Sequence, residues 1–213
     1  MEITSVKRIH QSDWTTEGIR FLRARDIVSA SKGEEPTDYL YISTEKYNEY
    51  SALSGKVKIG DLLVTGVGSI GVPMLVNTDE PLYFKDGNVI WFRNESIDGK
   101  FFYYSFTGNK IQQFIKDVAG IGTVGTYTID SGKKTPIQLP TENEQRKIGE
   151  LFTNLDRLLT FHQREPLTNL YFNLSVRVSA LLGRHLDFQA LELYADMFSV
   201  LWSCLRVLIA WLR

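Results

Sequence analysis

A capping box and an apolar repeat together define one long helix, which begins just after Pro140. Thr141 and Glu144 stand three residues apart, so each side chain can accept a hydrogen bond from the other's backbone N–H at a helix start. After them, apolar residues recur at alternating intervals of three and four, the spacing of a coiled-coil seam. The seam and the residues that widen it are Ile148, Leu151, Leu155 and Leu158, with Phe152 and Leu159. We predict an amphipathic, coiled-coil-like helix over residues 141–165 that buries this stripe against a partner.

This predicted helix is short. The repeat fails at His162 and Glu165, and Pro166 has no N–H with which to continue the helix. About two heptads are too few for a coiled coil that is stable by itself. The pattern therefore indicates a spacer or dimerisation helix that depends on other parts of this chain or on a second chain.

The composition of the chain changes at the same point. All 12 lysines lie in residues 1–165, whereas 30 of the last 48 residues are apolar. The change leaves two interpretations open for residues 166–213: a fused or frameshifted segment, or a genuine hydrophobic appendage. The final run Met197–Arg213 is 17 residues long and contains Arg206, so it falls short of the roughly 20 apolar residues of a membrane span. We predict a helical hydrophobic tail that packs on the body or on a partner.

Short apolar runs separated by turn residues fill the region before the helix. We predict strands within Glu2–Ile9 and Gly87–Ser96, and three strands with two turns within Lys56–Asn77. The aromatic-rich segment Gly99–Ala119 has helical spacing and predicts a helix pair, and Thr126–Pro140 predicts a last strand region with a Ser-Gly turn. The side chains predicted to face inward between residues 18 and 28 are Ile19, Phe21, Ala24 and Ile27. Mixed strands and helices in this order indicate one α+β domain over residues 1–140.

Composition and motifs give no sign of catalysis. The 213 residues carry a net charge of −1, and Cys204 is the sole cysteine, so no disulfide can form within the chain and a reducing compartment is expected. The N-terminus lacks the apolar core of a signal peptide, which favours the cytoplasm. The three histidines are dispersed without metal-ligand spacing, and no phosphate-binding loop of the Gly-x-x-x-x-Gly-Lys type occurs. We predict no catalytic residue, no metal site and no cofactor.

The stretch Gly66–Gly71, GVGSIG, has the Gly-x-Gly-x-x-Gly spacing of a dinucleotide-binding loop. However, the apolar run Val72–Val76 follows it, where that loop would need a helix. The stretch instead favours a tight hairpin turn with glycines at positive φ. A small dinucleotide-dependent enzyme is the less favoured alternative.

Binding to nucleic acid is the chemistry that these residues favour. Basic residues occur in clusters, and the loops Thr65–Gly71 and Gly120–Thr126 are rich in Gly, Ser and Thr. Lysine, arginine, hydroxyl and backbone N–H groups contact DNA phosphates, and arginine can also read guanine edges. Ordinary solvated surface is the alternative for any single cluster. The candidate DNA-binding residues are Arg20, Arg23, Arg25, Thr65, Ser69, Thr123, Thr126, Lys133 and Lys134.

Two segments of the chain are distinctive when taken together: GDLLVTGVGSIG, residues 60–71, and GIGTVGTYTIDSGKKTPIQLPTENEQRKIGELFTNLDRLLTFHQRE, residues 120–165. They resemble the DNA-specificity subunit of type I restriction-modification systems. The resemblance covers about residues 1–165 and implies one target-recognition domain followed by the start of the family's spacer helix. In such subunits two recognition domains, held apart by two antiparallel helices, each read half of a split site in double-stranded DNA.

The resemblance also implies partners. Methyltransferase subunits would bind the helices, and the restriction or motor subunit would join through them. S-adenosylmethionine and ATP would bind those subunits, so no cofactor is implied for this chain.

The chain departs from the family pattern in two ways: it carries one recognition domain, and its helix is interrupted at Pro166. We therefore expect a half-subunit that dimerises or pairs with another half-subunit through its helix, a fragment of a full subunit, or a product of rearrangement. A second hypothesis keeps only the protein contacts: a truncated or rearranged fragment that binds methyltransferase or specificity subunits without reading DNA.

Overall fold

The described part of the chain, residues 1–120 and 125–164 of a computed structural model, forms two four-stranded sheets and six α-helices. For residues 159–164 the helical backbone alone is described. The strands are β1 (Glu2–Thr4), β2 (Trp14–Thr15), β3 (Ile19–Leu22), β4 (Leu40–Ile42), β5 (Leu62–Thr65), β6 (Pro73–Leu75), β7 (Leu82–Phe84) and β8 (Val89–Arg93). The helices are α1 (Ala24–Ser31), α2 (Thr44–Ser54), α3 (Gly99–Thr107), α4 (Asn109–Ala119), α5 (Ile129–Lys133) and α6 (Glu142–Arg164). The predicted α+β class is confirmed.

The strands divide between the two sheets out of chain order. The first sheet has the order β1-β8-β5-β6 and is antiparallel throughout, with Leu63 opposite Trp91. The second sheet has the order β2-β4-β3-β7 and is mixed, because β3 and β7 run parallel with Arg20 opposite Leu82. Since β7 and β8 are consecutive but lie in different sheets, the turn Lys85–Asn88 links the two sheets.

The first sheet is buried on both faces. Leu63 and Trp91 belong to a core shared with the second sheet, α1 and α2, whereas Leu62 and Phe92 belong to a core shared with α3 and α4. Neighbouring strand residues point to opposite faces, so each strand supplies both cores. All four side chains are fully buried, and each such burial stabilises the fold by roughly 1.5–3 kcal/mol. Burial on both sides explains why residues 62–64 of β5 and 89–92 of β8 are continuously apolar instead of alternating.

The carboxylate of Asp61 organises the start of β5. It is buried and accepts hydrogen bonds from the backbone N–H of Lys58 at 2.8 Å, from Trp91 Nε1 at 2.9 Å and from the backbone N–H of Asn94 at 2.8 Å. These bonds hold the turn at residues 59–60, and residues 56–58 before it form no strand. The strand predicted there is therefore wrong, because the backbone donor at Lys58 bonds to a side chain and not to a neighbouring strand.

The strand region predicted within Thr126–Pro140 is also wrong. Thr128 caps a short helix, α5, by accepting a hydrogen bond from the backbone N–H of Ser131 at 3.2 Å. Gly132 lies so close to the first sheet that a Cβ there would be 3.1 Å from Ile3 Cγ2 and 3.3 Å from Phe92 Cζ. A helical turn lets this glycine pack directly on the sheet.

Other predicted elements are confirmed. The helix pair is α3 and α4, the strand within Gly87–Ser96 is β8, and the GVGSIG stretch is the turn of the β5–β6 hairpin, with φ of 70° at Gly68 and 79° at Gly71. The strand predicted within Glu2–Ile9 is present only as β1.

The predicted helix after Pro140 is α6, and its capping box is present. The backbone N–H of Thr141 donates to Glu144 Oε2 at 3.0 Å, and the backbone N–H of Glu144 donates to Thr141 Oγ1 at 3.4 Å. The Thr141 hydroxyl also donates to Glu144 Oε2 at 2.8 Å. This bond, together with the one from the Thr141 backbone N–H, lowers the pKa of Glu144, so its carboxylate stays ionised at the positive end of the helix dipole.

The chain divides into two units, Met1–Asp156 and Arg157–Arg213, so the boundary falls within α6. The predicted tail, residues 166–213, lies outside the described residues. The domain boundaries predicted at residues 140 and 165 stay predictions. Among the described helices, none is both long and apolar enough to cross a membrane.

Candidate nucleic-acid interface

Three loop segments meet at Gly66. Its backbone N–H donates to the carbonyl of Asn88 at 2.8 Å, and its own carbonyl accepts from the backbone N–H of Tyr127 at 2.9 Å. A Cβ on Gly66 would lie 2.6 Å from the Tyr127 carbonyl oxygen, so a side chain does not fit there. The segments Gly66–Gly71, Lys85–Asn88 and Gly125–Thr128 thus come together at one end of the first sheet, and we call them the loop rim.

Thr65 and Ser69 occupy different positions in the rim. Thr65 is fully buried, and its hydroxyl donates to the Ser69 carbonyl and accepts from the backbone N–H of Val72 at 2.9 Å. The side chain of Ser69 is exposed. Of these two predicted DNA-binding residues, Thr65 supports the turn from inside, and Ser69 lies on the surface.

Helix α4 supports the same turn. Gln112 Nε2 donates to the Gly71 carbonyl at 3.0 Å, and a Cβ on Gly71 would lie 3.0 Å from Ile115 Cγ2. Since Gly71 also has a positive φ, this position needs glycine both for its conformation and for its packing.

The segment after α4 is held by Tyr127. This side chain is buried, its hydroxyl is hydrogen-bonded to that of Thr135, and burial raises its pKa to about 12. Thr126, one residue earlier, is exposed next to the Gly66 junction. The predicted DNA-binding residue Thr123 lies outside the described residues.

Lys133 and Lys134 follow the rim along the chain. They lie at the end of α5, which packs on β1, and both are exposed. Lys133 Nζ is 4.0 Å from Asp130 Oδ1, an exposed pair that binds weakly in water. Both ammonium groups are therefore available to an anionic partner.

The three predicted arginines lie outside the rim, on β3 of the second sheet and at the start of α1, which contains Arg25. Arg20 lies on β3, with its guanidinium 3.8 Å from the ring centroid of Tyr39. Arg23 precedes α1, and its Nε and Nη2 donate to the buried carboxylate of Asp26, both at 2.9 Å. Arg23 is thereby held by contacts within the domain, whereas the side chain of Arg25 is 60% exposed.

Helix α6 packs on the domain through Gln145 and Gly149. Gln145 is buried; its Oε1 accepts from the backbone N–H of Asp98 at 3.1 Å, and its Nε2 donates to the Pro140 carbonyl at 2.9 Å. Gly149 is buried against the start of α3, where a Cβ would be 2.9 Å from the backbone nitrogen of Phe101.

The same face of α6 continues to Phe152 and Asp156. The rings of Phe152 and Tyr104 have centroids 5.3 Å apart, and the Tyr104 hydroxyl donates to Asp156 Oδ2 at 2.7 Å. Burial, together with that hydrogen bond, raises the pKa of Tyr104. By its contacts, the docked stripe of α6 is therefore Gln145, Gly149, Phe152 and Asp156, although Phe152 stays 44% exposed.

The predicted apolar seam is a neighbouring stripe. Ile148 packs partly on the α3–α4 core, but Leu151 is 56% exposed and Leu155 is 43% exposed. Leu158 is also exposed and lies in the second unit, and the side chain of Leu159 lies outside the described residues. Leu151 and Leu155 thus present apolar surface on a helix whose other side is already packed.

Several residues of these surfaces were not predicted: Asp38 and Tyr39 beside the arginines, and Tyr104, Gln145 and Gly149 at the α6 contact. Gly149 did carry a signal, because a glycine inside an amphipathic helix pattern indicates close approach of another backbone. Within residues 1–120 and 125–158, no group of three or more His, Cys, Asp or Glu side chains could hold a metal ion.

A family model described as the type I restriction modification DNA specificity domain matches residues 19–168. That range includes β3 with Arg20, the loop rim and α6.

Individual proteins match over part of their length. A Haemophilus influenzae protein, provisionally named a type I restriction enzyme specificity subunit, is 30% identical over 120 residues, which are 55% of this chain and 30% of that protein. A chain from a solved structure concerned with complex assembly and conformational transition of the type I R-M system has a similar fold, with TM-score 0.55 and 17% identity over 76% of this chain and 37% of that chain. A weaker likeness, with TM-score 0.47 and 18% identity over 73% of this chain and 36% of that chain, is to a type I restriction-modification system S subunit from M. genitalium. The chain spans about a third of the length of these proteins.

Proposed function

Because the chain belongs to the family of type I restriction modification DNA specificity domains, we propose that it recognises a DNA sequence for a type I restriction-modification complex. In this proposal the chain is the specificity subunit, or half of one, and directs methyltransferase and restriction subunits to a split DNA site, of which its recognition domain reads one half. Methylation and cleavage take place on those other subunits, and this chain contributes recognition without catalysis.

The observation that carries this proposal is the loop rim. Three segments that are distant in sequence converge at Gly66, and they present the exposed hydroxyls of Ser69 and Thr126 beside glycine-rich backbone. Hydroxyl and backbone N–H groups are phosphate ligands, and small turns can approach a groove closely. Lys133 and Lys134 add positive charge on the same sheet.

A selection from random duplexes tests the proposal. We expect the full chain to enrich one short sequence pattern, with binding that weakens steeply as salt rises. The selection is run with and without a methyltransferase from the same system, since a partner that fixes α6 can tighten binding. Binding without any enriched sequence in either arm would overturn the proposal.

A charge substitution tests which surface touches DNA. Lys134→Ala should weaken all duplexes alike and reduce the slope of log affinity against log salt by about 1, because a phosphate contact carries no sequence information. Lys147→Ala is the matched control, since Lys147 is exposed on α6, which this proposal does not place on DNA. Equal effects of the two substitutions would exclude a contact at Lys134.

The exposed stripe on α6 favours a second candidate function. Leu151 and Leu155 remain exposed although the docked stripe already holds the helix on its domain. An apolar helix face of this kind pairs with another helix. We propose that it binds a methyltransferase subunit or the helix of a second specificity half-subunit, and the same contact would serve a fragment that does not read DNA.

Capture of the methyltransferase by the full chain tests this candidate. Leu151→Ser combined with Leu155→Ser should abolish the complex or the pairing of two chains, as measured by sedimentation, and leave DNA binding by the single chain intact. Asn154→Ser is the control, because Asn154 is exposed on the same helix without being apolar. An unchanged complex in the double variant would contradict the proposal.

A further inference from the structure

An acidic segment packs beside the arginines at the end of β3 and the start of α1. Residues Glu34–Asp38, between α1 and β4, include three carboxylates. Arg25 Nη2 donates to Asp38 Oδ1 at 2.7 Å, and Arg23 Nη1 donates to Asp38 Oδ2 at 3.0 Å. One carboxylate therefore accepts hydrogen bonds from two of the arginines predicted to bind DNA.

The segment is held in place by contacts that do not depend on the Asp38 carboxylate. Arg23 Nη2 donates to the Asp38 carbonyl at 2.7 Å. The next residue, Tyr39, stacks beneath the guanidinium of Arg20 and donates its hydroxyl to Glu35. Because these contacts position the backbone, a change of the Asp38 side chain alone leaves the segment in place.

The Asp38 carboxylate is exposed and permanently charged near neutral pH. Its side chain is 53% exposed, so anions from solution can compete with it for the arginine guanidinium groups. The hydrogen bond from Arg23, aided by the charge of Arg25, lowers its pKa, so it stays ionised well into the acidic range. It faces Arg25, which is 60% exposed and can turn to another acceptor.

The length of the hydrogen bond between Arg25 and Asp38 also suits a contact between arginine and phosphate. A charge-assisted N–H···O bond near 2.7 Å is typical of arginine with either a carboxylate or a phosphate oxygen. Arg23 differs, because its bonds to the buried Asp26 remain if Asp38 is displaced.

We propose that Asp38 competes with DNA phosphate for Arg25 and thereby weakens the binding of all duplexes on this face. The inference rests on the proposed DNA-recognition function. On binding, Arg25 exchanges the carboxylate of Asp38 for a phosphate oxygen. The contact between Arg25 and phosphate therefore adds less to the affinity for DNA than a contact from an arginine without a carboxylate partner would. This holds whatever the sequence of the DNA.

Asp38→Asn in the full chain tests the inference. We expect every duplex to bind about two- to fivefold tighter, the range of one exposed ion pair, with a similar salt slope, because Arg25 makes the same phosphate contact in both proteins. Preference among sequences should stay the same, because phosphate contacts position DNA without reading it. Asp38→Glu, which restores the carboxylate, should return the affinity towards that of the parent.

Glu2→Gln is the matched control. Glu2 is 60% exposed and pairs with Arg93 at 2.9 Å, so this variant removes the same charge from the same kind of pair on the first sheet. We expect parent-like DNA binding, and thermal unfolding of both variants confirms that each is folded.

The outcomes separate this inference from the function on which it rests. The competition is overturned if the parent binds DNA and Asp38→Asn leaves that binding unchanged, weakens it, or tightens it for one sequence only. A parent and an Asp38→Asn variant that both fail to bind any duplex overturn the proposed DNA recognition as well. An equal gain in Glu2→Gln would show a general charge effect and would also overturn the competition.

Discussion

Replacing Gly149 by alanine should destabilise the protein, although the same change usually stabilises a helix. In an exposed helix, alanine in place of glycine gains about 1 kcal/mol. Here a Cβ would lie 2.8 Å from Asp98 Oδ1, 2.9 Å from Lys100 Cβ and 2.9 Å from the backbone nitrogen of Phe101. These atoms belong to the start of α3, so α6 has to move away from it.

The cost follows from the contacts that the movement breaks. Asp98 Oδ1 accepts from the backbone N–H of Phe101 at 2.9 Å, and losing this cap costs about 1 kcal/mol. The hydrogen bond from Asp98 N–H to Gln145 contributes about 1 kcal/mol, and the partial burial of Ile148 about 1 kcal/mol more. After the helix-propensity gain, the net loss is about 2 kcal/mol, or a decrease in Tm of roughly 4–8 °C.

Urea unfolding of Gly149→Ala measures this loss directly. Asn154→Ala is the control, since Asn154 is exposed on the same helix and alanine there should leave the stability unchanged or raise it by a few tenths of a kcal/mol, about the propensity difference. A Gly149→Ala protein as stable as its parent would refute the close packing of α6 on α3.

Three further changes probe other parts of the fold. Gly66→Ala, with its Cβ 2.6 Å from the Tyr127 carbonyl oxygen, should cost about 2 kcal/mol in urea unfolding and weaken DNA binding; an unaltered stability would show that the junction tolerates a side chain. Asp61→Ala leaves the buried Trp91 N–H without its acceptor and should cost at least about 2 kcal/mol, so a loss well below this would contradict its role. Burial raises the pKa of Tyr127 from its usual 10.0 to about 12. The folded protein therefore keeps this proton where the unfolded chain loses it, and stability present below pH 10 should be lost as the pH rises towards 12. Tyr127→Phe should reduce that decline in urea unfolding at alkaline pH, and an identical decline in both proteins would refute the assignment.

The predictable parts of this fold are those whose signals are local. The α6 capping box, the glycine-rich hairpin turn and the helical spacing in Gly99–Ala119 depend on residues a few positions apart, and all three are confirmed. The second sheet carries no comparable signal. Its strands are two to four residues long and are defined by pairing with distant segments, such as β3 with β7.

The sequence predicted which residue types lie at the candidate site, but not whether each side chain is buried, paired or exposed. A threonine in a Gly/Ser-rich loop is as compatible with a DNA contact as with a turn support, and only the folded chain shows that the Thr65 hydroxyl bonds to Val72. Likewise, Asp38 is 15 residues from Arg23, so nothing in the local pattern around the arginine indicates this partner. Which charges are already paired is a property of tertiary structure.

The docked stripe of α6 has a consequence for direction. Its contacts at Gln145, Gly149, Phe152 and Asp156 are spread over about three turns of helix, so they determine both the tilt of α6 and its rotation about its own axis. If two chains pair through α6 as proposed, these four residues determine the orientation of each recognition domain on the DNA. Changes in the side chains of α3 would then turn the reading loops around the duplex without altering a single residue that touches it.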